Sequence, residues 1–464
     1  MSVFGVLVLN LLFLLAGSCV LWGAGAWATW GDWAWSSGVS YMSGLCAVSV
    51  LATLVPIYGG GLSAGTILAL VAGVGLAGIV VGIVRRRPFP TSSAARTAPD
   101  LVTLALAGVT LLLLLLFFRV ARIEPMTSWD AWGFWMTKAK AIYYFGGLDL
   151  SIFRQTWPSY PILVPALAAM NFRFMGAADT TALAVQWWLL GAGFVWASAG
   201  MLRRVAPARV TWLFLAIFVA LPQFDQRLLE RTADWPLDLF FGVAACALLV
   251  WILTRETWLV VVFCVSLSAA LETKREGLLL AACLVVAGLV AADARRRSTW
   301  LAILGAAAIA YLPAIPWRLW WTSRHLPGDT PPGGLVHATF TNLGQAPKAF
   351  ALVAELTFKY GFWLGTAPLA LVAAIVCLRA SNRRAAVFFL AAFGLTFVGW
   401  AWENWAFVSE GYPITSDPSV NPTNRTVASL VVLATVAAPV LVGQLLAQRA
   451  RSEAPEPVPA PASP

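Results

Sequence analysis

The sequence predicts an all-α polytopic membrane protein, and three observations predict it. Of 464 residues, 60% are hydrophobic and only 11% are Asp, Glu, Lys or Arg, a balance that soluble domains do not show. The apolar residues form blocks approaching the roughly 20 residues a helix needs to cross a bilayer. Within the blocks they run continuously and do not alternate, which excludes a β-barrel.

About 13 spans are expected, near residues 3–23, 38–57, 63–84, 101–118, 182–201, 209–222, 236–253, 257–272, 277–293, 299–316, 361–378, 385–401 and 427–446. Residues 3–21 lack a basic leading region and a cleavage site, so the first segment is expected to be retained as a span. Basic clusters punctuate the blocks: Arg85-Arg86-Arg87, Arg203-Arg204, Arg255, Arg295-Arg296-Arg297, Arg383-Arg384, and Arg449 with Arg451. Two spans fit between successive clusters every time. All the clusters therefore share one side, which the positive-inside rule makes the cytoplasm. The amino terminus is then outside, and the Pro- and Ala-rich tail, 453–464, is inside as a disordered end. Residues 1–99 form extra N-terminal spans and a linker, 100–448 a membrane core, and 449–464 the tail.

The net charge of +10 is accounted for by these clusters and calls for no nucleic acid. All six cysteines, Cys19, Cys46, Cys246, Cys264, Cys283 and Cys377, fall in apolar runs, so no disulfide framework is expected. His325 and His337 share one loop without cysteine partners, so no zinc site is expected. Many of the 24 tryptophans lie at span ends, where indole rings prefer the interface.

The face opposite the arginines receives the chemistry. A long first loop, 119–181, carries Asp130 within Trp129-Asp130-Ala131-Trp132, then an amphipathic helix through Lys138-Ala139-Lys140, then Trp157-Pro158-Ser159-Tyr160-Pro161. Counting the apolar stretch 162–172 as a span would break the arginine pattern, so it is expected to lie flat at the interface. The second loop holds Asp225, Arg227, Glu230, Arg231 and Asp234, the last within Thr232-Ala233-Asp234-Trp235-Pro236. A tight turn, Glu272-Thr273-Lys274-Arg275-Glu276-Gly277, is third. The fourth begins Trp317-Arg318-Leu319-Trp320-Trp321, and a polar, Pro-bearing segment, 403–425, comes last.

Carboxylates gathered at one membrane face point to chemistry more than to solubility. A carboxylate can take a proton from a hydroxyl nucleophile. Lysine and arginine stabilise phosphate, arginine bidentately. Aromatic faces suit the C–H surfaces of a sugar. These parts fit glycosyl transfer from a polyprenyl-phosphate sugar, with positioned cations meeting the charge on the leaving phosphate. Plainer roles exist for each. Asp130 and Asp234 could cap helices. Lys274 and Arg275 could balance Glu272 and Glu276, while Arg318 and Arg425 could snorkel to the interface, and Lys138 and Lys140 could meet lipid headgroups. A transporter or flippase is the alternative function, but it usually keeps polar groups near the midplane in paired repeats. An O-antigen ligase would need paired arginines in one late loop, and 318–348 is poor in arginine.

The ordered set resembles the glycosyltransferase-C (GT-C) superfamily of integral membrane enzymes. Trp129-Asp130-Ala131-Trp132-Gly133-Phe134-Trp135 followed by Lys138-Ala139-Lys140 is similar to the first-loop motif of bacterial members. Ala233-Asp234-Trp235-Pro236-Leu237 resembles their Ala-Asp-x-Pro-Leu motif, and Thr273-Lys274-Arg275-Glu276-Gly277 a Lys-x-Glu-Gly turn. The resemblance covers about residues 100–446. It implies a GT-C-like bundle in a bacterial cytoplasmic membrane, an active site facing outward, and inversion at the anomeric carbon. It makes Asp130 the base or acceptor-positioning carboxylate and Asp234 a second acidic residue of the catalytic site, orienting the acceptor or a metal. It gives the donor phosphate to Lys274, Arg275, Arg318 and Arg425, and contacts with acceptor or sugar to Trp129, Trp132, Tyr160 and Glu276. Only some members use a divalent metal, so none is assigned. Two departures bear on the acceptor. The first loop lacks a second acidic residue beside Asp130, and no carboxy-terminal soluble domain follows, so a lipid or glycan acceptor is expected and a protein sequon is not.

Overall fold

The computed structural model describes residues 2–92, 99–155, 157–292, 297–328, 331, 333–379, 383–409, 413–417 and 421–452. Arg295, Arg296 and the tail 453–464 lie outside the described residues.

The chain is helical throughout its described elements. α1 (Ser2–Ala24), α2 (Trp30–Ile57) and α3 (Ala64–Val84) form an antiparallel trio. Thr29 and Ser63 start the second and third, each hydroxyl accepting the backbone N–H three residues on. Asp100 does the same for α4 (Leu101–Ala121). Gly17 and Gly44 let α1 and α2 meet backbone to backbone, since a Cβ on either would fall within 2 Å of the facing carbonyl. A π-helical turn, Asp130–Trp135, leads into α5 (Met136–Phe145), followed by α6 (Leu150–Phe153) and α7 (Leu163–Met175).

The rest is α8 (Ala184–Leu202), α9 (Ala208–Val219), α10 (Pro222–Glu230), α11 (Asp234–Thr254), α12 (Trp258–Thr273), α13 (Glu276–Ala291), α14 (Arg297–Tyr311) and α15 (Ala314–Ser323). Then come α16 (Leu335–Thr341), α17 (Ala346–Phe358), α18 (Tyr360–Trp363), α19 (Thr366–Cys377), α20 (Arg384–Ala406), α21 (Thr423–Thr426) and α22 (Ala428–Ser452). Among the described residues eight helices are long and apolar enough to cross a membrane, or ten if two bent pairs each count once. The pairs are α9 with α10, bent by 59°, and α14 with α15, bent by 42°. The spans expected near 257–272, 277–293 and 361–378 are the helices α12, α13 and α19, of 16, 16 and 12 residues, shorter than an untilted crossing requires.

The centre of the bundle is α11, almost wholly buried between α8, α12 and α22. The first loop departs from expectation. The stretch 162–172 does not present a face to lipid: α7 is buried nearly end to end, against α1, α2, α5 and α12. A polar network explains the placement. Asn10 of α1 and Asn171 of α7 both donate to the Gln186 side-chain oxygen of α8, at 2.8 and 3.0 Å. Tyr41 of α2 donates to Asn10 Oδ1 at 2.7 Å and accepts from Gln186 at 3.3 Å. Each of these polar side chains needs partners inside an apolar bundle, and they find one another. Lys138 is likewise interior, at 2% exposure. Its ammonium donates to the Trp157 carbonyl and lies 4.1 Å from the Phe134 ring centroid, so it is not on a lipid-facing surface.

Candidate functional site

The predicted residues converge through charge. Asp130 opens the π-helical turn, a form that widens a helix locally, re-aims its side chains and recurs at functional sites. Its carboxylate meets Arg425 Nη1 at 2.5 Å. The same Nη1 lies 3.7 Å from Asp234 Oδ2. Asp234 Oδ1 receives Lys274 Nζ at 2.8 Å, and that ammonium also meets Glu276 Oε1 at 2.9 Å. The Tyr160 hydroxyl donates to Glu276 Oε1 at 3.2 Å. Asp130, Arg425, Asp234, Lys274, Glu276 and Tyr160 thus form one series of alternating charges closed by a phenol.

Helix ends position each member. Asp234 and Glu276 stand in the first turns of α11 and α13, where the helix dipole favours a carboxylate. Neither Asp130 nor Asp234 is an N-cap: the caps are Trp129 and Ala233, with no side-chain hydrogen bond. Lys274 is the extended residue between α12 and α13, so its side chain drops between the two carboxylates. Burial opposes its charge, but Asp234 and Glu276 outweigh burial and lift its pKa well above the usual lysine range. It is a fixed cation at neutral pH. Burial, and then the Glu276 charge, keep the Tyr160 phenol protonated far above its usual range, so it stays a donor.

Arg425 is held by a polar scaffold that the sequence reading did not single out. Arg227 donates to the Asn424 carbonyl at 2.7 Å, just before Arg425. Thr423 Oγ1 donates to Asn404 Oδ1 at 2.7 Å, and Asn421 donates to Asn404 and to the Pro413 carbonyl at 3.1 and 3.0 Å. Glu403, on the same end of α20, interacts electrostatically with Glu276, Lys274 and Arg275. The available signal was the polar run 403–425 in an apolar chain; only its last arginine was chosen from it. No family model matches this chain, and neither a curated protein nor a solved structure matches it significantly.

Other predicted residues fall at different distances from the series. Arg275 packs over the rings of Tyr160 and Phe407, at 5.2 and 5.9 Å, and so flanks it. Trp129 and Trp132 stand edge to face at 6.4 Å beside Asp130 and are more than half exposed, an open aromatic rim. Arg318 does not join. It lies on α15, with its guanidinium 5.5 Å from the Tyr311 ring, and interacts with Glu272. An arginine one turn into a helix among tryptophans reaches for the nearest ring and carboxylate, and here these belong to other elements. Among the described residues no group of three or more His, Cys, Asp or Glu side chains is placed to hold a metal.

The polar groups share one end of the bundle. α11 is 21 residues long, about 30 Å, with Asp234 at its start and Arg255 just past its end. At that far end Arg204 pairs with Glu256 at 2.6 Å, Arg255 donates to Thr299, Arg203 meets Asp32 at 3.6 Å, and Arg87 donates to the Ala24 carbonyl. These arginines and the carboxylate series are one length of α11 apart.

Proposed function

We propose that the chain is a membrane glycosyltransferase. It moves a sugar from a polyprenyl-phosphate donor to a lipid or glycan acceptor at the outer face of a bacterial cytoplasmic membrane. Arg425 is the observation that carries this: one guanidinium touches both Asp130 and Asp234, so a general base and a phosphate-binding cation are adjacent. An acceptor hydroxyl attacks the anomeric carbon, and the bond from that carbon to the phosphate oxygen breaks. The electron pair stays on the phosphate, and the hydroxyl proton goes to Asp130. Arg425 ties up Asp130 until an incoming phosphate competes for it. Donor binding therefore frees the base where it is needed, while Lys274 and Arg275 add positive charge. Trp129, Trp132 and Tyr160 offer faces for the sugar ring.

The alternative, a transporter or flippase of a lipid-linked sugar, would be favoured by charged groups near mid-bundle. The polar network that joins α1, α2, α7 and α8, Asn10, Tyr41, Asn171 and Gln186, is of neutral residue types, and the ion pairs of the series lie at helix ends. Asp130→Asn is expected to abolish transfer, at least about 10²-fold in kcat, with unchanged expression and membrane insertion. Mass spectrometry of lipid-linked and envelope glycans from cells with and without the gene identifies the sugar; identical glycan profiles would remove the proposal.

A further inference from the structure

The ends of α2 and α15 enclose a cleft that the mechanism does not use. Its volume is about 470 Å³, above the roughly 300 Å³ at which ligand sites begin. Ile57 and Tyr58 line it from the end of α2, Leu148 and Leu150 from the start of α6 and the turn before it, and Trp320 and Arg324 from α15 and its cap. The walls are clamped to one another. Arg173 of α7 donates to the Leu62 carbonyl, in the loop after α2, at 3.2 Å, and to the Tyr143 carbonyl of α5 at 2.8 Å. Trp320 stacks on Trp317, with ring centres 5.2 Å apart and planes 16° from parallel, and meets Phe153 of α6 edge to face at 6.4 Å. The Trp317 indole donates in turn to the Ser159 carbonyl at 3.3 Å, next to Tyr160 of the carboxylate series. The cleft is therefore preformed, and a path of contacts through Trp317 and Ser159 joins its wall to that series.

We propose that this cleft binds the sugar rings of a neutral oligosaccharide. Such rings present C–H faces and hydroxyl edges together, and the lining answers both. Ile57 is buried, and Leu148, Leu150 and the Trp320 ring are half-buried, so they make an apolar floor. The exposed Tyr58 hydroxyl and the Arg324 guanidinium, 5.7 Å from the Trp320 ring centroid, make a polar rim. Arg324 is the one charged side chain among the lining residues. A lone exposed guanidinium holds an anion weakly in water, but its five donors serve ring hydroxyls well. A lipid tail does not fit the shape. Along α2 the cleft reaches no deeper than Pro56, a single turn, whereas a long chain needs an apolar groove running down a helix. Ile57 and Tyr58 also fall outside residues 100–446, the part that resembles the GT-C enzymes, so the site is this chain's own. Under the transferase reading the glycan is the acceptor, gripped away from its reacting hydroxyl; only that assignment rests on the reading.

The test passes the full chain in lipid nanodiscs over an array of immobilised neutral oligosaccharides, made of hexose, N-acetylhexosamine and pentose oligomers. Affinity for any retained glycan is then measured in solution. At least one class is expected to be retained. Leu148→Trp fills the cleft and Trp320→Ala removes its aromatic wall, and each should weaken binding at least about tenfold. Tyr58→Ala, at an exposed position, should weaken it in the same direction and carries the test alone if the other two do not fold. No retained glycan overturns the site, as does a glycan held equally by the wild type and the folded variants. So does a phospholipid that native mass spectrometry finds bound to the wild type and missing from Leu148→Trp. Cleft-dependent glycan binding without transfer of any sugar would sink the transferase reading and leave the site standing. Sugar transfer with glycan affinity untouched by the variants would do the reverse.

Discussion

Lys274 sits between two carboxylates that would otherwise face each other across a buried seam, Asp234 at 2.8 Å and Glu276 at 2.9 Å. Its side chain is 9% exposed, and theirs are 5% and 9%. Breaking a buried pair by removing one partner leaves the other charge uncompensated. Lys274→Met is therefore expected to destabilise the protein by about 3 kcal/mol, read as a fall in unfolding temperature in detergent. Lys274→Met with Asp234→Asn should recover part of that loss; a double variant as unstable as the sum of the singles would mean that the two residues are not coupled. The pH dependence follows from sign. The folded-state pKa of Lys274 is raised above its unfolded value of 10.5. Its contribution is then fully present below that value and is lost only as pH rises through the still higher folded value. No loss of stability of the wild type between about pH 6 and 9 should trace to titration of Lys274 itself; in Lys274→Met the acids it holds down, Asp234 and Glu403, are expected to rise, so that variant's profile should depart from the wild type's in this window. Donor affinity in the same variant separates the roles, because a purely structural lysine would leave donor KM and rate unchanged in a refolded, stabilised background.

At the scale of the element, α7 shows what a linear pattern conceals. A mostly apolar stretch after Pro161 reads the same whether it lies on lipid or inside protein, and the arginine count argued for the surface. What decides is Asn171, whose amide needs a partner, and the partners come from Gln186 of α8, which also holds Asn10 of α1. The Asn10–Gln186 pairing spans 176 positions and leaves no periodic trace in the chain. The motifs around Asp130, Asp234 and Lys274 were legible because charges are rare here and stand at helix ends. Glu403 and the Asn404–Asn421–Thr423 scaffold were not, because neutral polar residues in a polar segment carry no mark of which one turns inward. Arg318 was legible as a cation but not in its direction. α1 and α2 are joined to the core by this network and by packing along α7, α8 and α12. Gln186→Leu removes its bonds to Asn10, Asn171 and Tyr41 together. It should cost about 1–2 kcal/mol, since buried interhelical hydrogen bonds in membranes are individually modest. Co-expressed fragments 1–99 and 100–464 should copurify, and more weakly with Gln186→Leu; fragments that never associate would show the trio to be peripheral.

For the molecule as a whole, the distribution of charge is the property on which the proposed function depends. The carboxylate series and the arginine clusters occupy opposite ends of the same helices, about 30 Å apart along α11. Arginine flanking spans stays on the cytoplasmic side, so the series should open on the other side, where the proposed polyprenyl-phosphate donor would meet its acceptor. Single cysteines in a cysteine-free background test this directly. Position 130 represents the series and position 230 the end of α10 just before Asp234, both partly exposed at side-chain values of 34% and 20%. Arg85 and Arg209, both exposed, represent the other end. A membrane-impermeant thiol reagent added to intact cells should label positions 130 and 230 and spare 85 and 209, with the pattern reversing in inverted vesicles. Labelling of 130 and 230 from opposite sides would contradict the shared grip of Arg425 on Asp130 and Asp234. Labelling of all four from the cytoplasm would leave the ion-pair series intact but turn it toward nucleotide-activated sugars. The lipid-phosphate donor would then fall, even though the geometry that binds a phosphate would remain.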